Sequence, residues 1–291
     1  MIEYIISDNP YKFDMDKNGF PALTENNVKR VNFLIANDSN YSLLDDQYED
    51  SISQTINKFN KDHYTDDEDE IREIVEVIDR QNSTHLSFTG MEGDDRNNGR
   101  TIMAKYICEL TKNGFYILLK QADPELVNDI AKNAIKTRNT FSFASKYCTY
   151  MARALFKGEK EEDNYSIFDS VMCNALPYYA WAYLGDKYKY IKRKCSTIPE
   201  EFAAKGNGKY KEYRDLIDEI RKAARDNVIW DSTIERDNIS NNEIWDKRPR
   251  KHYISRKDFD HLLWYYFKGS SKKKGIKEAL ECVGNEDRLL V

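Results

Sequence analysis

Only 12 glycines and 6 prolines punctuate 291 residues. That is roughly half the usual share of chain-breaking residues. A fold of many short strands needs frequent turns, and turns are built from these residues. Their scarcity favours long helices, and the apolar spacing agrees. Tyr48, Ile52, Ile56 and Phe59 recur at intervals of four and three, as do Ile71, Ile74, Val75 and Ile78. Those intervals place side chains on one face of a helix. The reading is a mainly α chain, with at most a short N-terminal strand over Ile2 to Ile6.

Further helices are expected from about 25, from 101 to 113, and from Pro124 to about Arg138. The stop after 113 is Asn113-Gly114 and the cap before Pro124 is Asp123. Others are expected over 141–155, from Ser170 to about Leu184, over 209–229, 255–268 and 272–283. Asp169 or Ser166 caps the helix at 170, and Pro177 kinks or restarts it. The acidic run Asp66 to Glu70 opens the helix of Ile71, where negative charge suits the helix dipole. Residues 89–100, TGMEGDDRNNGR, read as a loop, and their three glycines lack the Gly-Lys-Ser/Thr of a phosphate-binding loop.

The charge is uneven. Net charge is −5, which argues against a general polyanion binder. Residues 1–100 carry 10 Lys/Arg and 22 Asp/Glu, and residues 101–291 carry 35 and 28. An acidic lobe over 1–95 and a helical lobe with basic tracts over 96–291 follow, packed as one unit. This asymmetry suits one nucleic-acid face or, equally, an acidic solvated lobe. The tract Lys187, Lys189, Lys192, Arg193 and Lys194, interleaved with tyrosines, fits phosphate contacts or a solvated helix end. The 20 tyrosines serve either helix interfaces or base stacking.

Five cysteines stand apart in sequence, without Cys-x-x-Cys or zinc spacing. No metal and no cofactor is expected, and the thiols suit a reducing, cytoplasmic setting. The N-terminus has no signal-peptide pattern and no stretch has membrane-spanning length. Nothing in the pattern requires an oligomer, and a monomer is expected.

Residues 139–170 carry the chemistry. Lys146 lies among small and aromatic residues, Phe143-Ala-Ser-Lys146-Tyr147-Cys148, and Asp169 follows at a helix start, Tyr165-Ser-Ile-Phe-Asp169-Ser170. An amine kept neutral by burial can attack an electrophilic carbon. A carboxylate at a helix N-terminus is favoured in its ionised form and can steady a developing positive charge. Without other information, the two residues are equally a helix-surface lysine and an ordinary N-cap.

These two segments resemble the lysine-to-aspartate stretch of helix-hairpin-helix DNA glycosylases, in the 8-oxoguanine DNA glycosylase branch. The resemblance covers some 40 to 50 residues. It implies a two-lobed helical bundle that flips a damaged or modified base out of DNA and excises it. Lys146 would be the nucleophile and Asp169 the assisting carboxylate, with strand-cleaving lyase activity as an accompaniment. Phe143, Ser145 and Tyr150 would line the base pocket, Tyr150 one turn beyond the lysine. Asp260, His261 and Trp264, on the last aromatic helix, would reach the base edge. Trp264 also reads as a core residue and His261 as an ordinary surface histidine. Relatives of this kind accompany phage-defence genes, which implies modified viral DNA as a substrate. The family's Leu-Pro-Gly-Val-Gly hairpin is absent, and Asn139-Thr-Phe-Ser-Phe143 stands in its place. A non-catalytic helical module binding nucleic acid or protein is the alternative. A metal-dependent nuclease finds no support, since paired carboxylates before a Glu-x-Lys are lacking.

Overall fold

A computed structural model describes residues 12–37, 46–60, 64–82, 84–86, 98–135, 139–185, 209–227 and 254–268. Ten α-helices organise them: α1 Glu25–Asn37, α2 Asp46–Asn60, α3 Glu68–Asn82, α4 Asn98–Lys112, α5 Phe115–Lys120, α6 Pro124–Asn133, α7 Phe141–Leu155, α8 Ser170–Leu184, α9 Lys209–Asn227 and α10 Arg256–Lys268. A short 3-10 turn spans Lys160–Asp163. No strand occurs among the described residues, only an isolated bridge between Met15 and Pro21. The expected strand over Ile2 to Ile6 and the helix over 272–283 lie outside the described residues, as do 89–97.

Helix α7 is the axis of the molecule. Every residue from Phe143 to Ala154 is buried, the signature of a helix surrounded by protein. It packs against α2, α3, α6 and the 3-10 turn. Helix α8 packs against α9 and α10, while α10 also meets α1 and α9 also meets α6. One continuous apolar core runs through all of them, from Val31 and Leu34 of α1 to Phe259 and Leu263 of α10.

The sequence placed a helix stop at Asn113-Gly114, and α4 does end there. It did not anticipate α5. Gly114 sits at φ 101° and directly precedes Phe115. Its freedom at positive φ lets a new helix start with no intervening loop. Helix α6 begins as expected, with the Asp123 carboxylate accepting the Glu125 amide at 2.9 Å, and ends at Asn133. Helix α8 continues through Pro177 as one element, so of the expected kink or restart there is no restart.

The tyrosines act as staples between elements. Tyr165 donates to the carbonyls of Leu118 and Asp123. Tyr179 donates to that of Pro21, and Tyr183 accepts the Leu23 amide. In each case the ring packs in or against the core and the hydroxyl satisfies a backbone group in a loop or in the last turn of a helix.

The acidic run after α7 has a structural use. Both Asp163 carboxylate oxygens accept backbone amides at the start of α10, from Arg256 and Lys257, at 2.9 Å each. Arg256 in turn pairs with Asp218 of α9. This cap sets the position of α10, the helix that carries Asp260 and Trp264.

Candidate active site

The site is built on α6 and α7. Helices α6 and α7 pack side by side. The return is closed by the Thr140 amide on the Ala131 carbonyl at 3.0 Å. Asn139 starts α7 by accepting the Phe141 amide on its side-chain oxygen at 3.0 Å. An asparagine side chain thus supports the start of α7.

Lys146 lies in the second turn of α7 and is only 6% exposed. Burial holds its amine below an ordinary lysine's pKa, against the upward pull of Asp169. Its Nζ stands 4.0 Å from Asp169 Oδ2. That spacing allows strong electrostatic contact but exceeds hydrogen-bond length. Asp169 is the N-cap of α8. Its Oδ1 accepts the Val171 and Met172 amides at 2.9 Å each. Its Oδ2 accepts the Trp264 indole N–H at 3.1 Å. One oxygen is occupied by the helix start, leaving the other to face the amine and the indole.

The chain that delivers Asp169 is tied down residue by residue. Ser166 gives its amide to the Tyr210 hydroxyl at 2.7 Å and accepts that hydroxyl on its carbonyl at 2.8 Å. Ile167 gives its amide to Asp260 Oδ2 at 3.1 Å, and its carbonyl accepts from the Tyr213 hydroxyl. Phe168 gives its amide to Ser145 Oγ at 3.0 Å, one residue before Lys146 on α7. Three consecutive residues of non-helical chain are therefore held by side chains from α7, α9 and α10. Ser145 is fully buried, so Ser145→Ala leaves the Phe168 amide without its acceptor. The expected cost is about 1–3 kcal/mol, measurable as a lowered urea midpoint.

A second buried ion pair lies on the same face of α7, two turns on. Arg153 Nη2 meets Asp260 Oδ2 at 3.0 Å, with side chains 5% and 4% exposed. Burial pushes the Asp260 carboxyl up to about 7, against the Arg153 guanidinium, which pulls it down.

The remaining candidates fall into three groups. Phe143, Ser145, Tyr150 and Asp260 are buried and already engaged. Phe143 stacks on Tyr147, and Tyr150 donates to Asn82 at 3.0 Å. His261 and Trp264 are half-buried; His261 packs edge-on against Tyr265. Lys187, Lys189, Lys192, Arg193 and Lys194 lie outside the described residues. Sequence reasoning did not single out Arg153, Tyr210 or Tyr213. Arg153 was detectable, as a second cation seven residues after Lys146 in an otherwise uncharged helix. The two tyrosines had no local signal, because their partners lie more than 40 positions away. Among the described residues no group of three or more His, Cys, Asp or Glu could hold a metal ion, and no helix is long and apolar enough to cross a membrane.

Over residues 27–155 the chain is similar to a protein family whose model is described as HI_0787_N, an N-terminal domain. That span is less than half of the chain. It includes Lys146 and Arg153 and ends before Asp169 and Asp260. No curated protein matches the chain, and no solved structure matches it.

Proposed function

We propose that this chain is a DNA glycosylase that removes a damaged or modified base through Lys146 and Asp169. The observation that carries the reading is a buried amine 4.0 Å from a helix-capping carboxylate, with burial holding the amine's pKa down. A neutral amine is a nucleophile, and a carboxylate beside it stabilises the cationic sugar that forms as a base departs.

The chemistry balances with these two groups and DNA. The Lys146 lone pair attacks the sugar C1′ as the C1′–N bond to the base breaks. The departing base keeps the electron pair and takes one amine proton. The C1′–O4′ bond then opens, O4′ takes the second amine proton, and an imine joins Lys146 to C1′. Asp169 faces the positive charge throughout, and its Trp264 hydrogen bond holds the facing oxygen in place.

The test is borohydride trapping, in which hydride reduces the imine to a stable amine. Duplexes carrying oxidised, alkylated or otherwise modified bases, and one carrying an abasic site, are incubated with the protein. A covalent adduct mapping to Lys146 is expected on the abasic duplex and on the true substrate. Asp169→Asn should slow base release by about 10²–10³. Base release at the wild-type rate in that variant would remove the carboxylate from the mechanism. A protein that traps on none of the duplexes would leave the non-catalytic helical module as the reading.

A further inference from the structure

Ile167 lies two residues before Asp169, and its amide is held by a side chain outside the amine–carboxylate pair. That side chain is Asp260, 3% exposed on α10. A single oxygen, Oδ2, accepts both Arg153 Nη2 at 3.0 Å and the Ile167 amide at 3.1 Å. The charged and titratable groups acting on Asp260 come from several elements: Arg153 from α7, Asp163 from the 3-10 turn, Tyr210 from α9, and His261 beside it on α10.

A buried ion pair is weak evidence of stabilisation, because desolvation of two charges offsets their attraction. Apolar residues of similar volume fill such a space as well or better. They cannot, however, accept a backbone N–H. The bond from Ile167 is therefore what distinguishes this pair from a replaceable piece of core. It also acts on the stretch that sets where Asp169 stands. Misplacement of a catalytic group by about 1 Å is enough to cost roughly a hundredfold in rate.

We propose that Asp260 is a positioning residue: its Oδ2, oriented by Arg153, fixes the Ile167 amide and thereby holds Asp169 beside Lys146. The proposal rests on the glycosylase reading for what is positioned. The positioning itself is measurable without DNA.

Two double variants separate the roles. R153M/D260L removes both charges and the acceptor while keeping bulk. R153M/D260N removes both charges and keeps a carbonyl oxygen for Ile167. Three quantities are read: thermal melting, the rate of borohydride trapping on an abasic-site duplex, and the pH midpoint of Lys146 methylation by formaldehyde and cyanoborohydride, followed by peptide mass spectrometry. The apolar pair is expected to melt near the wild type yet trap roughly ten- to hundredfold more slowly. Its Lys146 midpoint is expected to move by about one unit or more as Asp169 shifts. The amide variant should restore both rate and midpoint.

An apolar pair with wild-type rate and midpoint overturns the proposal. So does an amide variant as impaired as the apolar one. If the wild type traps nothing, the glycosylase reading fails, and the methylation midpoint still decides the positioning. If the apolar pair does not fold, amide exchange of Ile167 in the wild type decides it. Exchange as slow as in the core of α7 supports the clamp, and exchange like an open loop removes it.

Discussion

Lys146→Met is expected to lose all covalent trapping while making the protein more stable at neutral pH. Lys146 Nζ is the proposed nucleophile, and methionine offers none. The stability gain follows from the balance at the amine, where burial outweighs the attraction of Asp169 and the pKa is lowered. Each unit of lowering corresponds to about 1.4 kcal/mol. In the window between the lowered folded pKa and the unfolded value of about 10.4, the folded chain binds fewer protons than the unfolded one. Wild-type stability therefore rises with pH across that window. The penalty is complete below the folded pKa and gone above about 10.4. Asp169 keeps its two α8 amides and Trp264 in the variant, so it is not left bare. Urea unfolding of both proteins from pH 6 to pH 10 should show the variant ahead at pH 6 and the two converging at high pH. Parallel curves would mean that Lys146 is not held below its ordinary pKa. Trapping that persists would move the nucleophile elsewhere.

Arg153→Ala should be the most damaging single change to the fold. It strips the guanidinium from a carboxylate that is 3% exposed. Removing one partner of a buried pair costs about 3–5 kcal/mol, a large share of the 5–15 kcal/mol that holds a typical domain together. The loss depends on pH. Burial already pushes the Asp260 carboxyl up to about 7, above its unfolded value of about 3.9. A group raised in this way favours the folded state fully below about 3.9, and that contribution disappears as pH rises through about 7. Without Arg153 the carboxyl rises further and takes up a proton instead of remaining a lone charge. The variant should thus lose most at pH 8 and distinctly less at pH 5, measured by urea unfolding at both. An equal loss at both values would show that the guanidinium acts through packing alone.

The helices were legible because helix formation is written locally. The intervals of Ile71, Ile74, Val75 and Ile78 became α3, and Asp123-Pro124 started α6 with the expected cap. Asp169 was expected as a helix cap and is one. Helix α5 was missed because a glycine at positive φ is an ordinary helix stop, and only the chain after Gly114 shows that a new helix starts directly behind it. Pro177 was read as a kink because its ring and missing N–H act against helix in isolation. In the fold α8 packs against α9 and α10 and continues past Pro177 as one helix, so it does not restart there.

The sequence by itself determined the helical class and most helix starts, and it singled out Lys146 and Asp169 as candidates. Those properties depend on spacing, capping and residue type within a few turns. Tertiary structure alone decided that Lys146 and Asp169 stand 4.0 Å apart, that Trp264 binds the same carboxylate, and that Asp260 turns inward to Arg153 and Ile167 rather than outward. Trp264 and Asp260 lie more than 90 positions from the residues that they hold. Such contacts form only when α10 packs against α8. The desolvation that makes Lys146 a candidate nucleophile arises at the same step, since a lysine is buried only when the helices around it close.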